Sequence, residues 1–570
     1  MKPLSCLLLL ASILPCGMSA AEPDVVIAPP LAVPRTSVRD HRDPEPRPAP
    51  VGWVDTIGGT VYDWQLNGPA YRMAVTTPGF GVHVLWMHSD DTAGYADQNM
   101  RYNFYDFISN EWSWQDPDYM RSGVNVFSAR SGYGRLAADP VTGSAVVSCN
   151  QGSIYPVVAR DIAPGAGVFE YCDGRPALDM MQWPIVDVTR SRSLHLLMMD
   201  WASGEMGFYS RCRTWCNWDD PIGIAAPQPD PGFPSHNIAV SRVSNKVCLT
   251  WVLDDPNGPA SPGYYRESTD DGFTWCASTE IPMPNPFGLD TTPTFHISSL
   301  FPWYDSDENL HFVASVVPVV NDTAYVAPAV IVHWSPATGW TQIHRADPDT
   351  ILGSVGYNAA FAGRPTIAQT LHNPRGLWVA WEQFDGTNVE PATGLLRADI
   401  YYSYSGDGGQ WWTQALRVTE PSTASCRFPC IADPVMEFQH LFVLYELDLQ
   451  AGFSTQGQGS PTPNPIVVWR ITHPGVMEAS GSGPHAVSIE AMPNPAASRT
   501  WVEYALPRAC VANLGLFDAA GRCVRTLVSG RVEAGLHTVE WDVSSVPRGV
   551  YFLKLATPDK TLTSKLTVAR

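Results

Sequence analysis

At 570 residues the chain is too long for one ordinary hydrophobic core, so at least two domains are expected. Its formal net charge of −20 repels phosphate backbones and anionic lipid, which excludes nucleic acid and acidic membrane surfaces as partners. With 21 Trp, 45 Gly, 51 Pro and only 16% charged residues, flat side chains alternate with turn formers, and the composition predicts an all-β protein.

In chain order, Lys2, the apolar run Leu7–Leu14 and Ser19-Ala20-Ala21 form the three regions of a secretory signal peptide over residues 1–21. Pro15 makes Cys16 a poor lipoprotein cysteine, and no later apolar run reaches transmembrane length. Residues 22–50, polar and Pro-rich, read as a linker. Removing the signal takes Cys6 and Cys16 with it and leaves ten cysteines, an even number suited to an oxidising compartment. Cys149/Cys172, Cys248/Cys276 and Cys510/Cys523 each flank strands read as neighbours, which predicts three disulfides; Cys212/Cys216 would close a turn, and Cys426/Cys430 lie too far apart along extended chain. No CxxC or clustered Cys/His spacing speaks for zinc.

Residues 51–472 carry a repeated strand pattern. Apolar strands rich in β-branched and aromatic residues begin at 82, 145, 194, 247, 310, 377 and 441. Each is preceded by another strand (RMAVTT, RLAAD, PIVDVT, NIAVSR, FHISSL, RPTIAQT, RFPCIAD) and followed by a third, such as RYNFYD, GVFEYC or IYYSYS. A Trp-bearing fourth follows in most units. Seven such meanders in series predict a seven-bladed β-propeller, or six blades if the second unit is misread, because one small sheet cannot bury both its faces. The seventh unit lacks a fourth strand, and VYDWQ (61–65) stands unpaired before the first, so that segment is expected to close the ring.

Two units share S-x-D-x-G-x-x-W between third and fourth strands: Ser268, Asp270, Gly272 and Trp275, then Ser405, Asp407, Gly409 and Trp412. The pattern resembles the Asp box (BNR repeat) of sialidase-like propellers, where it fastens a turn and does no chemistry. After a Gly/Ser-rich linker at 473–484, residues 485–570 change character, with Met492-Pro-Asn494-Pro495, VEYALP, LGLFDAAGRCVRTLV, VPRGVYFLKL and KLTVAR giving about seven short strands. This order resembles the C-terminal sorting domain of type IX secretion cargo and the related FlgD-like immunoglobulin-type sandwich. The resemblance implies the type IX machinery as partner and a secreted or outer-membrane-surface protein of a bacterium.

Innermost propeller strands line the channel, and at their starts stand Arg72, Arg135, Arg364 and Arg427. Asp90, Asp200, Asp254, Glu382 and Glu446 stand at or just after second-strand ends, on the same face. These nine residues are the ligand-binding candidates: guanidinium forks grip carboxylates, and nearby acids do proton transfer. Mutual pairing that plugs the channel is the competing expectation. Tyr71-Arg72-Met73 resembles the first-blade F/Y-R-I-P motif of sialidases without its proline. No catalytic residue is assigned, and no cofactor or metal is expected; Ca²⁺ at Ser89-Asp90-Asp91 or Asp305–Glu308 is weighed against solvated turns. Three functions remain: a surface propeller binding glycan or another extracellular polymer, a sialidase-like glycoside hydrolase or lyase, and a structural or adhesion protein without a small-molecule site.

Overall fold

The computed structural model describes residues 47–48, 52–472 and 488–569, apart from 67–69, 153–154, 174–180, 201–206, 225–234, 253–262, 283–285, 288–294, 321–322, 372, 437–439, 493–495, 497–498, 507–509, 533–534, 545 and 559. The signal-peptide reading and the linker at 473–484 lie outside the described residues. The chain divides into two compact units, Met1–His473 and Pro474–Arg570.

The first unit contains seven antiparallel sheets of four or five strands. Their innermost strands are Ala74–Thr77, Ser131–Ala138, Met181–Val188, Ser235–Val240, Phe295–Tyr304, Ala362–Gln369 and Ser425–Ile431, in blades one to seven. Each innermost strand touches the next, and that of blade seven touches that of blade one, so the sheets form a closed β-propeller. Second strands such as Gly81–His88 and Val247–Val252 are buried at every position, because a blade is covered on both faces by its neighbours. That is why they read as continuous apolar runs and not as alternating ones.

Closure joins the two ends of the unit. Trp53–Thr60 pairs antiparallel with Asn464–Thr472 and supplies the outer strand of blade seven, while Arg47–Pro48 pairs with Leu416–Arg417 on blade six. The closing strand is therefore 53–60, not the expected 61–65. An outer strand is half solvated, and Trp53 and Val54 are exposed there, whereas all of Val61–Leu66 is buried. The aromatic run goes where it removes more apolar area from water. Gly58 permits the approach, since a Cβ there would overlap the Trp86 ring.

Blade two holds a further correction. GVFEYC is its outer strand (Phe169–Asp173), and Tyr155–Asp161 is the third. Cys149 and Cys172 are thus separated by an intervening strand, opposite Val157 and Val158 respectively. Two strand spacings come to about 10 Å, beyond disulfide reach. Cys172 instead bonds Cys216 of blade three, which also removes Cys216 from Cys212. The same geometry keeps Cys248 from Cys276: Cys248 faces Glu267 on one side, and Cys276 bonds Glu267 from the other. Cys510 and Cys523 stand at opposite ends of one hairpin, opposite Val532 and Phe517. All six of these other cysteines are free, as are Cys426 and Cys430.

The two S-x-D-x-G-x-x-W turns have one hydrogen-bond pattern. Ser268 Oγ accepts from Gly272 N at 2.8 Å and Asp270 accepts from Thr274 N at 2.8 Å; Ser405 Oγ accepts from Gly409 N at 2.8 Å and Asp407 from Trp411 N at 3.0 Å. Each turn leans on the preceding blade, with Trp275 edge-on to Tyr209 and Trp412 bonded to Thr341. Beneath them runs a polar lock, in which His195 Nδ1 meets Tyr209 Oη at 2.7 Å and His311 Nδ1 meets His333 Nε2 at 2.8 Å.

The second unit has a three-stranded sheet (Ser488–Met492, Arg499–Leu506, Gly535–Asp542) and a four-stranded one (Cys510–Phe517, Cys523–Val532, Gly549–Ala556, Thr561–Val568). Val502, Tyr504 and Trp541 from the first share a core with Leu514, Leu553 and Leu566 from the second, which makes a β-sandwich.

Gly409 has φ +90°, and a Cβ there would overlap the His333 ring. Gly409→Ala is expected to destabilise the propeller by about 1–3 kcal/mol, read as a lower urea midpoint.

Candidate functional site

The innermost strands are not regular. Register shifts interrupt them in blades two, three, five, six and seven. In four of these the shift holds a bulky residue at positive φ: Tyr133 (54°), Trp183 (49°), Arg364 (52°) and Phe428 (56°). Such backbone is costly for a side chain of that size, and a bulge re-aims the residue it carries. Three of the four precede proline, as Trp183-Pro184, Arg364-Pro365 and Phe428-Pro429.

Aromatic rings gather around these bulges at the channel mouth. The segment that follows the closing strand brings Tyr62 and Trp64. Tyr62 Oη lies 2.7 Å from Tyr133 Oη, with its ring edge-on to Tyr95 at 4.9 Å. Trp64 meets Tyr133 and Tyr357 edge-on and stacks on Phe453. Tyr95, Tyr133, Trp183 and Tyr357 are only part-buried. Blades one, two, six and seven thus contribute to an aromatic surface at the face opposite the Ser/Asp/Gly/Trp turns.

Beneath it the predicted charged residues pair with one another. Arg364 and Arg427 both bond Glu382, which also accepts Phe428 N at 2.9 Å. All three side chains are no more than 4% exposed. Burial opposes the charge on Glu382, but Arg427 and Arg364 more than offset it and hold the carboxyl below its ordinary range. Arg72 bonds Asp187 of blade three across the channel at 2.7 Å. Arg135 is buried, lies 3.3 Å over the Tyr71 ring and donates to Gly134 O; among the described residues it meets no carboxylate. The four arginines therefore form no open anion clamp. Asp90 is exposed beside His88 on blade one, Asp200 stands opposite Met181 in blade three, and Asp254 lies outside the described residues.

Glu446 belongs to a group of three acids that the sequence did not single out. It shares a buried region with Asp448 and with Asp63, whose carboxylate accepts Ser454 N at 2.6 Å. Glu446 accepts Asn464 Nδ2 at 2.8 Å, but its Oε2 and the Oδ2 of Asp448 have no hydrogen-bond partner. Burial, then Asp448 and Asp63, push the Glu446 carboxyl well above its usual range. Burial and Asp63 push Asp448 up to about 8, with Arg427 opposing. Burial thus shifts all three carboxyls toward the protonated form, beside the segment that carries Tyr62 and Trp64.

Residues 490–569 match the secretion system C-terminal sorting domain. The protein is secreted to the bacterial cell surface. Its sorting domain is of the kind recognised by the type IX secretion machinery. No curated protein matches the chain. Solved structures similar to it include a polysaccharide lyase family 25 ulvan lyase (10% identity, TM-score 0.43, 71% of this chain and 100% of that one). Others are a fungal alcohol oxidase of the AA5 family with copper (12%, 0.38, 91% and 100%) and an α-L-arabinanase of Penicillium chrysogenum (9%, 0.35, 61% and 97%). Among the described residues no helix is long and apolar enough to cross a membrane.

The raised folded-state value of Asp448 means the native state binds its proton more tightly than the unfolded chain does. Its contribution to stability is complete at low pH and is lost as pH rises through about 8. Thermal unfolding between roughly pH 5 and pH 9 should show the melting temperature falling with pH, and Asp448→Asn should flatten that fall.

Proposed function

We propose that the channel mouth is a binding platform for an extracellular glycan, displayed at the cell surface. In this reading the exported chain comprises residues 22–570, with the propeller at 51–472 and the sorting domain at 485–570. The observation that carries it is the strained bulge at Tyr133, whose ring meets Tyr62 and Trp64, with the part-buried Tyr95 and Tyr357 packed on the same two rings. Strain of about 1–3 kcal/mol per residue persists only where surrounding structure enforces it, and such outliers cluster at ligand sites. Part-buried aromatic faces with hydroxyl edges suit a sugar, whose C–H faces stack on rings while its hydroxyls bond the phenols. The acidic chain and the paired arginines favour a neutral or weakly charged polymer over a strongly anionic one.

A second reading, glycoside cleavage by a hydrolase or lyase, is favoured by the three buried carboxyls Glu446, Asp448 and Asp63, which burial shifts toward the protonated form. A carboxyl kept neutral at pH 7 is what a general acid requires. We further infer that the two matching turns are Asp boxes of the sialidase-like kind, a reading supported by their shared hydrogen bonds and their equivalent places in the repeat.

Glycan-array screening of the full mature chain, followed by calorimetry on the best ligand, tests both readings. Tyr95→Ala and Tyr133→Phe are expected to weaken binding at least about tenfold, on the scale of one lost stacking or hydrogen-bonding partner, without lowering the melting temperature of the Tyr95 variant. Binding without release of reducing ends supports the platform; release abolished in Glu446→Gln supports the enzyme; absence of any glycan ligand contradicts both.

A further inference from the structure

We propose that His88, Asp90 and Asp97 form a site for a divalent transition-metal ion of the zinc class. The three lie where the second strand of blade one leaves the sheet, and their ligand atoms are all within 4.8 Å of one another. Among the described residues they are the one such group of three.

His88 carries the argument. Its side chain is 4% exposed, and its Nδ1 lies 2.7 Å from the carbonyl oxygen of Gly59. A carbonyl can only accept, so Nδ1 carries a proton, and in the neutral ring Nε2 is the nitrogen that offers its lone pair to a ligand. That lone pair faces the Asp90 carboxylate at 3.5 Å. The imidazole is buried while the carboxylate beside it is open to solvent, so a cation can reach the gap and be coordinated by both. Arg101, whose charge is felt by Asp90 and Asp97, donates to Asn125 Oδ1, Met120 O and Ser122 O and bonds neither carboxylate.

The second carboxylate is already oriented. Asp97 accepts from Ser89 Oγ, from Asp90 N at 2.8 Å and from Asp91 N at 3.2 Å. This is the fixing of a ligand by outer hydrogen bonds that metal centres use, as is the Nδ1–H to Gly59 O bond. The donor set decides the class of ion. An imidazole nitrogen suits zinc and its neighbours, whereas calcium and magnesium take oxygen ligands, and two carboxylates balance a double charge. Three protein ligands leave a further coordination position for water or a ligand oxygen.

The other acidic turn shows the contrast. There both ring nitrogens of His311 are engaged by side chains, Nδ1 by His333 Nε2 at 2.8 Å and Nε2 by Asp305 at 3.2 Å, so no imidazole nitrogen is left for an ion.

The loop between Asp90 and Asp97 carries Tyr95, whose ring packs on Tyr62. A bound ion would therefore fix one wall of the aromatic platform, a consequence that rests on the proposed glycan reading although the metal site does not.

The test uses the full mature chain without a polyhistidine tag, with exposed Cys276 and Cys523 alkylated beforehand. After loading with zinc chloride and desalting, elemental analysis should find one zinc per chain in the wild type and loss of that zinc in Asp90→Asn and Asp97→Asn. Asp90 is 57% exposed, so its variant should fold normally and melt like the metal-free wild type. Zinc should raise the wild-type melting temperature and leave that of Asp90→Asn unmoved, and calcium should have no effect on either. A wild type that retains no zinc, equal retention by both variants, or a shift produced by calcium instead would overturn the assignment. Zinc bound at this site by a protein that binds no glycan would leave the metal site standing and refute only the platform.

Discussion

A propeller blade is a small sheet with two apolar faces, and it is stable only when a neighbour covers each. The pairing of Trp53–Thr60 with Asn464–Thr472 is therefore the interaction on which the rest depends. It fastens the last blade with the first strand and leaves no sheet face uncovered in the ring. It also delivers the site. The chain that leaves the closing strand at Thr60 turns directly into the channel mouth, bringing Tyr62, Asp63 and Trp64 against residues of blades one, two, six and seven. Closure and function share one continuous segment.

The interior of the ring combines two opposed electrostatic solutions. Glu382 is compensated by two guanidinium groups and a backbone N–H, and stays charged. Glu446 and Asp448 lack such compensation, and burial drives them toward the neutral form. Both obey the same rule that an isolated buried charge is too costly to keep. The first arrangement braces blades six and seven, and the second leaves carboxyls biased toward the neutral form beside the segment that carries Tyr62 and Trp64.

Much of this was legible in the residues. Second strands stood out as apolar runs rich in β-branched and aromatic residues, and the missing fourth strand of the seventh unit announced that the N-terminal segment must supply it. The segment chosen was wrong by eight residues, because VYDWQ has stronger strand character than WVDTIGGT; what decided the matter was tertiary burial, which propensity does not see. The disulfides failed for a related reason. Tyr155–Asp161 went unrecognised as a strand, so Cys149 and Cys172 looked adjacent when a strand lies between them. Arg364 and Arg427 lie near the starts of their inner strands, Arg72 just before its strand and Arg135 in the middle of its own, and periodicity says nothing about where a guanidinium finds its partner. The recurring bulky residue before proline at 183, 364 and 428 was the available sign of the bulges. His88 and Asp97 gave no sign, since their meeting depends on a loop conformation and not on ligand spacing.

Native-state hydrogen exchange on the mature chain tests the closure most directly. Amides of Trp53–Thr60 bonded to the neighbouring strand should be protected to the same degree as those of Asn464–Thr472 and lose protection together with them, as one cooperative unit. Exchange of 53–60 at the rate of an exposed loop, with 464–472 still protected, would contradict a ring fastened by its first strand.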